Sequence, residues 1–161
     1  MYAATLDEYV LPAFQQTSSN THLANEKNDP LSRRVKSSIT NLSLQGLRQK
    51  LTALQGLSEN WDGAGSAKPN SLAISNAMNW LEQIYQQIVS AQLEWRIPHI
   101  SASEEGEVVF EWWRADHKLT VYFGADKAEF IQVWGTHINN EMADGQLEAT
   151  GILSLWKWLS A

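Results

Sequence analysis

Six side chains of this chain have the chemistry of a metal site: His99, Asp116, His117 and His137, joined by Glu105 and Glu111. Imidazole nitrogens and carboxylate oxygens bind zinc and similar ions, but they do so from short, regular spacings. No two of the four histidines stand three or four residues apart, and there is no H-E-x-x-H. Asp116-His117 falls where a hairpin turn is expected, and such residues suit turns for backbone reasons alone. No metal ligand is therefore assigned.

Nucleophilic hydrolysis finds no better footing. The chain lacks a G-x-S-x-G elbow, and Ser101 and Ser103 flank no triad: alternate residues of a strand share a face and nothing more. The paired carboxylates Asp7-Glu8 and Glu104-Glu105 fall in polar stretches rather than in a cleft that would shift their pKa values. Gly63-Ala64-Gly65 lacks the lysine and the preceding strand of a phosphate-cradling loop. The expectation is a non-catalytic protein with no cofactor. The alternative is a small enzyme or ligand-binding domain with a site near the 60–65 turn, built from Asp62, His99, Glu111 and His137. It requires that at least two of these converge in a pocket.

The most distinctive stretch is Asn60-Trp61-Asp62-Gly63-Ala64-Gly65. An Asp can bond its own backbone two residues on, and Gly63 and Gly65 accept positive φ without steric cost. Trp61, Asp62, Gly63 and Gly65 thus read as a structural turn, with Trp61 expected to fill the gap between helices and sheet. A functional reading would instead have the loop present Asp62 to a ligand.

Composition narrows the partners. A chain of 161 residues with 43% hydrophobic content and eight tryptophans is long enough to bury a core. Twelve basic against eighteen acidic side chains give a formal charge of -6. Such a surface repels phosphate backbones, so nucleic acid is not an expected partner. The one dense basic cluster, Arg33, Arg34 and Lys36, suits a solvated segment. The absence of cysteine excludes disulfides and thiolate chemistry and suits a cytoplasmic bacterial or phage protein. No run approaches the length of a membrane-spanning helix, and the first residues, with an acidic pair and no basic region, do not read as a secretory signal.

The pattern of residue types then gives the elements. Residues 1–37 combine a short apolar patch with a Gln/Ser/Thr/Asn-rich stretch and read as a polar arm, equally able to cover its own core or to meet a partner. From 38 to 161 a single domain is expected. Leu44, Leu47, Leu51 and Leu54 recur at helical spacing, as do Ile74, Ala77, Met78, Leu81, Ile84, Tyr85 and Ile88. Two such helices with a turn between them form an antiparallel helical hairpin. After Pro98 the period becomes two, with strands near 99–103, 108–113, 119–123 and 128–134 separated by turns at 104–107, 114–117 and 124–127. Ile152, Leu155, Trp156 and Leu159 make a C-terminal helix. The expectation is a two-layer α+β domain: helical hairpin, four-stranded antiparallel meander, C-terminal helix.

The series Asn60-Trp61-Asp62-Gly63-Ala64-Gly65, Gly106-Glu107-Val108-Val109-Phe110-Glu111-Trp112, Gly124-Ala125-Asp126 and Gly135-Thr136-His137 resembles a family of small uncharacterised bacterial and phage-borne proteins. Those carry an N-W-D-G-x-G-A turn followed by a D-G-E-V-x-F-E-W hairpin. The resemblance covers roughly residues 40–160, with Ser66 in place of the usual alanine and Glu105 in place of the usual Asp. It implies the fold and no catalytic residues.

Neighbouring strand residues point opposite ways, so one of Trp112 and Trp113 must face away from the core. Beside Trp134 or Tyr122, that ring would make an aromatic patch of the kind that marks protein interfaces. Trp112, Trp113, Trp134 and Tyr122 are therefore the expected partner-binding residues; the equal alternative is that the C-terminal helix, with Trp156 and Trp158, covers that face. Their occupant is a protein partner, in an antitoxin-, immunity- or inhibitor-like role, or a second copy in a homodimer.

Overall fold

The computed structural model describes residues 30–137 and 139–161. Residues 39–161 form one unit, and the other unit, ending at Ser38, is described only over its helical residues 30–38. The expected arm thus lies outside the described residues up to position 29. From Pro30 onward the backbone is helical, ahead of the start expected at 38.

Helix α1 (Pro30–Leu54) buries Leu44, Leu47 and Leu51 along the predicted stripe. Helix α2 (Ser71–Ser90) starts at Asn70, whose side-chain oxygen accepts from the Leu72 N–H at 2.8 Å and so satisfies one orphan donor of the first turn. Ala73, Ile74, Ala77, Leu81, Ile84 and Ile88 form its buried side. Arg48 of α1 donates through Nε to Glu82 of α2 at 2.9 Å, tying the two helices together on their exposed side.

The sheet is an antiparallel meander in the order β1-β2-β3-β4-β5. Its strands are β1 (His99–Ala102), β2 (Val108–Arg114), β3 (His117–Phe123), β4 (Ala128–Val133) and β5 (Met142–Gln146). It has five strands, not the four expected. The fifth carries Asp144-Gly145, a turn-forming pair with poor strand propensity, so its residue types argue against it. The tertiary setting overrides them. Gly145 pairs with Phe130, and a Cβ on Gly145 would stand 3.2 Å from the Phe130 ring, so the ring occupies the space a side chain would have filled. Helix α3 (Ile152–Ser160) closes the order and buries Ile152, Leu155, Trp156 and Leu159.

All three helices share one core with one side of the sheet, the side of Val108, Phe110, Trp112, Leu119, Val121, Phe123 and Ala128. The α2–β1 connection is fixed there by indoles. Trp156 donates to the Glu94 carbonyl at 3.1 Å and Trp112 to the Arg96 carbonyl at 3.0 Å, while Trp95 stacks on Trp156 with centroids 5.8 Å apart. Asn76 of α2 donates to the Gly124 and Lys127 carbonyls of the β3–β4 turn, and Gln87 to the Ala149 carbonyl ahead of α3. These bonds hold the strand ends at fixed heights against α2. The protein is α+β, and no helix among the described residues is long and apolar enough to cross a membrane.

Candidate functional site

Strand alternation that sends Phe110 and Trp112 into the core sends Val109, Glu111 and Trp113 to the reverse side. The register lays that side out in rows. His99, Glu111, Thr120, Ile131 and Asp144 stand across from one another, as do Ser101, Val109, Tyr122, Glu129 and Gln146. Trp113, Lys118, Val133 and Met142 form the third row. The centre of this face is close-packed, with Val109 and Thr120 buried by their neighbours.

One end of the face is apolar and open. Trp113 is 52% exposed and Ile97, two residues ahead of β1, is 58% exposed. Lys118 stands 5.3 Å above the Trp113 ring and also pairs with Glu111 at 2.5 Å. The His99 ring lies 6.1 Å from Trp113. A ring supported from two sides but uncovered on its outer face keeps a fixed orientation while leaving its apolar surface in water.

The other end is acidic. Glu104, Glu105, Glu107 and Glu111 line an open groove with Ser101, Ser103 and Tyr122. Glu129 pairs with Lys127 at 2.8 Å, and that contact raises the Lys127 pKa above its usual value.

The four expected partner-binding residues fall on two different sides. Trp113 and Tyr122 share the reverse face. Trp112 is 2% exposed and lies in the core, so it forms no part of an exposed patch. Trp134 is half-buried with its ring 6.1 Å from Trp158 of α3, on the helix-covered side. Residue types had not singled out Ile97, Lys118 or Met142. Strand register brings Lys118 and Met142 into the row of Trp113, and pairing register is set by turn geometry rather than by any one residue.

The 60–65 turn is closed on itself. Asn60, Gly63 and Gly65 all adopt positive φ. Asp62 Oδ1 accepts from the Ala64 N–H at 2.9 Å and the Ser66 N–H at 3.3 Å, while Oδ2 accepts the hydroxyl of buried Ser66. Asn60 Oδ1 accepts from Gly65 N–H at 2.7 Å. The Ser66 hydroxyl first, then the Ala64 amide, hold the Asp62 carboxyl below its ordinary pKa. Trp61 does not fill a gap between helices and sheet. It is 37% exposed, stands outside the core, and its indole donates to the Ala67 carbonyl at 3.3 Å, pinning its own loop.

Just beyond, Ala67 N–H donates to Glu104 O and Asn70 N–H to Gly106 O, both at 2.8 Å, so this connection docks on the β1–β2 turn. Gly106 is required there, with φ +81° and a would-be Cβ only 2.6 Å from the Lys68 carbonyl.

The alternative constellation does not assemble. Asp62 belongs to the end of the sheet that carries the β1–β2 turn, whereas His137 lies in the β4–β5 connection at the other end. Strands of this length separate those ends by roughly 20 Å. His99 and Glu111 are cross-strand neighbours, but Glu111 is engaged by Lys118 and His99 packs against Trp113. Among the described residues no three His, Asp or Glu side chains come together as a metal site. Comparison with protein-family models, with curated proteins and with solved structures gives no match.

Proposed function

We propose that this chain is a non-catalytic protein-binding module that docks its partner on the reverse face of the sheet, around Trp113 and Tyr122. The observation that carries this is the half-exposed Trp113, oriented by Lys118 and His99, at the end of the sheet where the exposed Ile97 leads into β1. Large aromatics at the centre of a patch supply most of the binding energy in protein interfaces, and an indole loses little side-chain entropy on being covered. An antitoxin-, immunity- or inhibitor-like role is the form in which such a surface works, with the partner's function masked by occupation rather than by chemistry. A cytoplasmic setting accords with the absence of cysteine.

Co-expression with the products of adjacent genes, followed by affinity capture, tests the proposal. Trp113→Ala and Tyr122→Ala should each weaken the captured complex, whereas Leu72→Ala, at an exposed apolar position on α2, should not. A complex indifferent to both reverse-face substitutions would overturn it.

A further inference from the structure

Resting on the docking face just proposed, we infer that the partner presents a cationic protein surface. An apolar projection seats beside Trp113 and Ile97, and Lys or Arg side chains reach the carboxylates of Glu104, Glu105 and Glu107. The charge of the face decides this. It carries six carboxylates, at 104, 105, 107, 111, 129 and 144, against two ammonium groups, at 118 and 127. Both lysines are already engaged within the face, Lys118 by Glu111 and Lys127 by Glu129. Glu104, Glu105 and Asp144 make no ion pair among the described residues, and the charge of Glu107 helps to raise the Lys127 pKa without a direct pair. Residues 30–161 carry fourteen acidic and eleven basic side chains, a net charge of -3, so a surplus of four on this face means that their acidity is gathered there rather than spread evenly.

Polarity and distance narrow the partner further. The apolar row and the β1–β2 turn lie at opposite ends of β2, roughly 20 Å apart at about 3.3 Å per residue. A strand of about six residues or a helix of about thirteen spans that length. Complementary charge at one end and an apolar anchor at the other fix the direction in which the partner lies. A second copy of this chain would bring the same carboxylate surplus against itself, and a phosphate backbone would be repelled.

The test pans a phage-displayed random peptide library, roughly sixteen residues per peptide to cover that span as a helix, on the full chain. Peptides that still bind Trp113→Asp are discarded. Circular dichroism confirms that this exposed substitution leaves the fold intact. The expected survivors carry an apolar residue followed by a Lys/Arg excess, and lose about tenfold in affinity to the triple variant Glu104→Gln, Glu105→Gln, Glu107→Gln as paired charges are removed. Survivors without a basic excess, or indifferent to the triple variant, would overturn the cationic partner and leave the docking face standing. If no peptide depends on Trp113, both the cationic partner and the docking face fall. Light scattering that shows a dimer dissociated by Trp113→Asp would replace the cationic partner with self-association.

Discussion

Adjacent tryptophans on opposite sides of one strand offer a direct measurement of which side is core. Trp112→Ala removes a side chain that is 2% exposed, leaves the Arg96 carbonyl without its indole donor, and deletes edge contacts to Phe110 and Trp156 at 5.9 and 5.5 Å. Truncating a buried Trp costs about 3–5 kcal/mol, and an orphaned buried carbonyl adds about 1 kcal/mol. A loss of about 4–6 kcal/mol is expected. At about 2–4 °C per kcal/mol for a chain of this size, Tm should fall by about 8–24 °C. Trp113→Ala removes a half-exposed ring and one exposed cation–π contact, so about 1 kcal/mol is expected. Urea unfolding followed by circular dichroism, with m compared across variants, reads both values. Equal losses, or a larger loss for Trp113→Ala, would refute the assignment of the two faces and with it the docking surface.

Two further perturbations separate causes that lie close together. Gly106→Ala combines positive φ with a contact 2.6 Å from the Lys68 carbonyl, while Gly63→Ala has positive φ and open space. Backbone strain costs about 1–2 kcal/mol in each, and overpacking adds about 1–3 kcal/mol to Gly106→Ala alone, so denaturant midpoints that coincide would refute the close approach. Ser66→Ala should raise the Asp62 pKa toward its ordinary value of 3.8, because the hydroxyl is the largest cause of its depression. A depressed carboxyl pKa contributes stability that is present above the unfolded value and lost as pH falls through the folded one. Asp62→Asn should therefore remove part of the decline in stability below pH 3.8, and an NMR titration of Asp62 that is unchanged by Ser66→Ala would refute the cause.

The helices of residues 39–161 were legible because their period is dictated by burial. The stripes read from α2 and α3 are the residues found buried or half-buried against the core. Strands β1 to β4 were legible for the same reason, with period two in place of 3.6. What escaped is what tertiary contact decides. β5 forms because β4 offers it a partner edge and Phe130 covers its glycine, neither of which the residue types of 142–146 announce. The early start of α1 has a sequence signal of its own, since Asp29 precedes Pro30 and proline favours the first helical position. Trp61 misled because a large aromatic suggests burial, whereas a single acceptor, the Ala67 carbonyl, suffices to hold it at the surface.

The same contrast separates residues that serve the fold from those available to a partner. Asp62 spends its carboxylate on Ala64 and Ser66, Asn60 on Gly65, and the Trp112 and Trp156 indoles on main-chain carbonyls, so each of these polar groups is matched inside the chain. Among the described residues Trp113 is matched to Lys118 and His99, which are not in the core, and its ring is half-exposed. Glu104 and Glu105 stand exposed at the other end of the same sheet and make no ion pair among the described residues. An exposed indole carries a hydration cost, and a cluster of unpaired carboxylates a repulsive one. A cationic surface with an apolar projection relieves both at once, which is why the reverse face rather than the 60–65 turn carries the functional proposal.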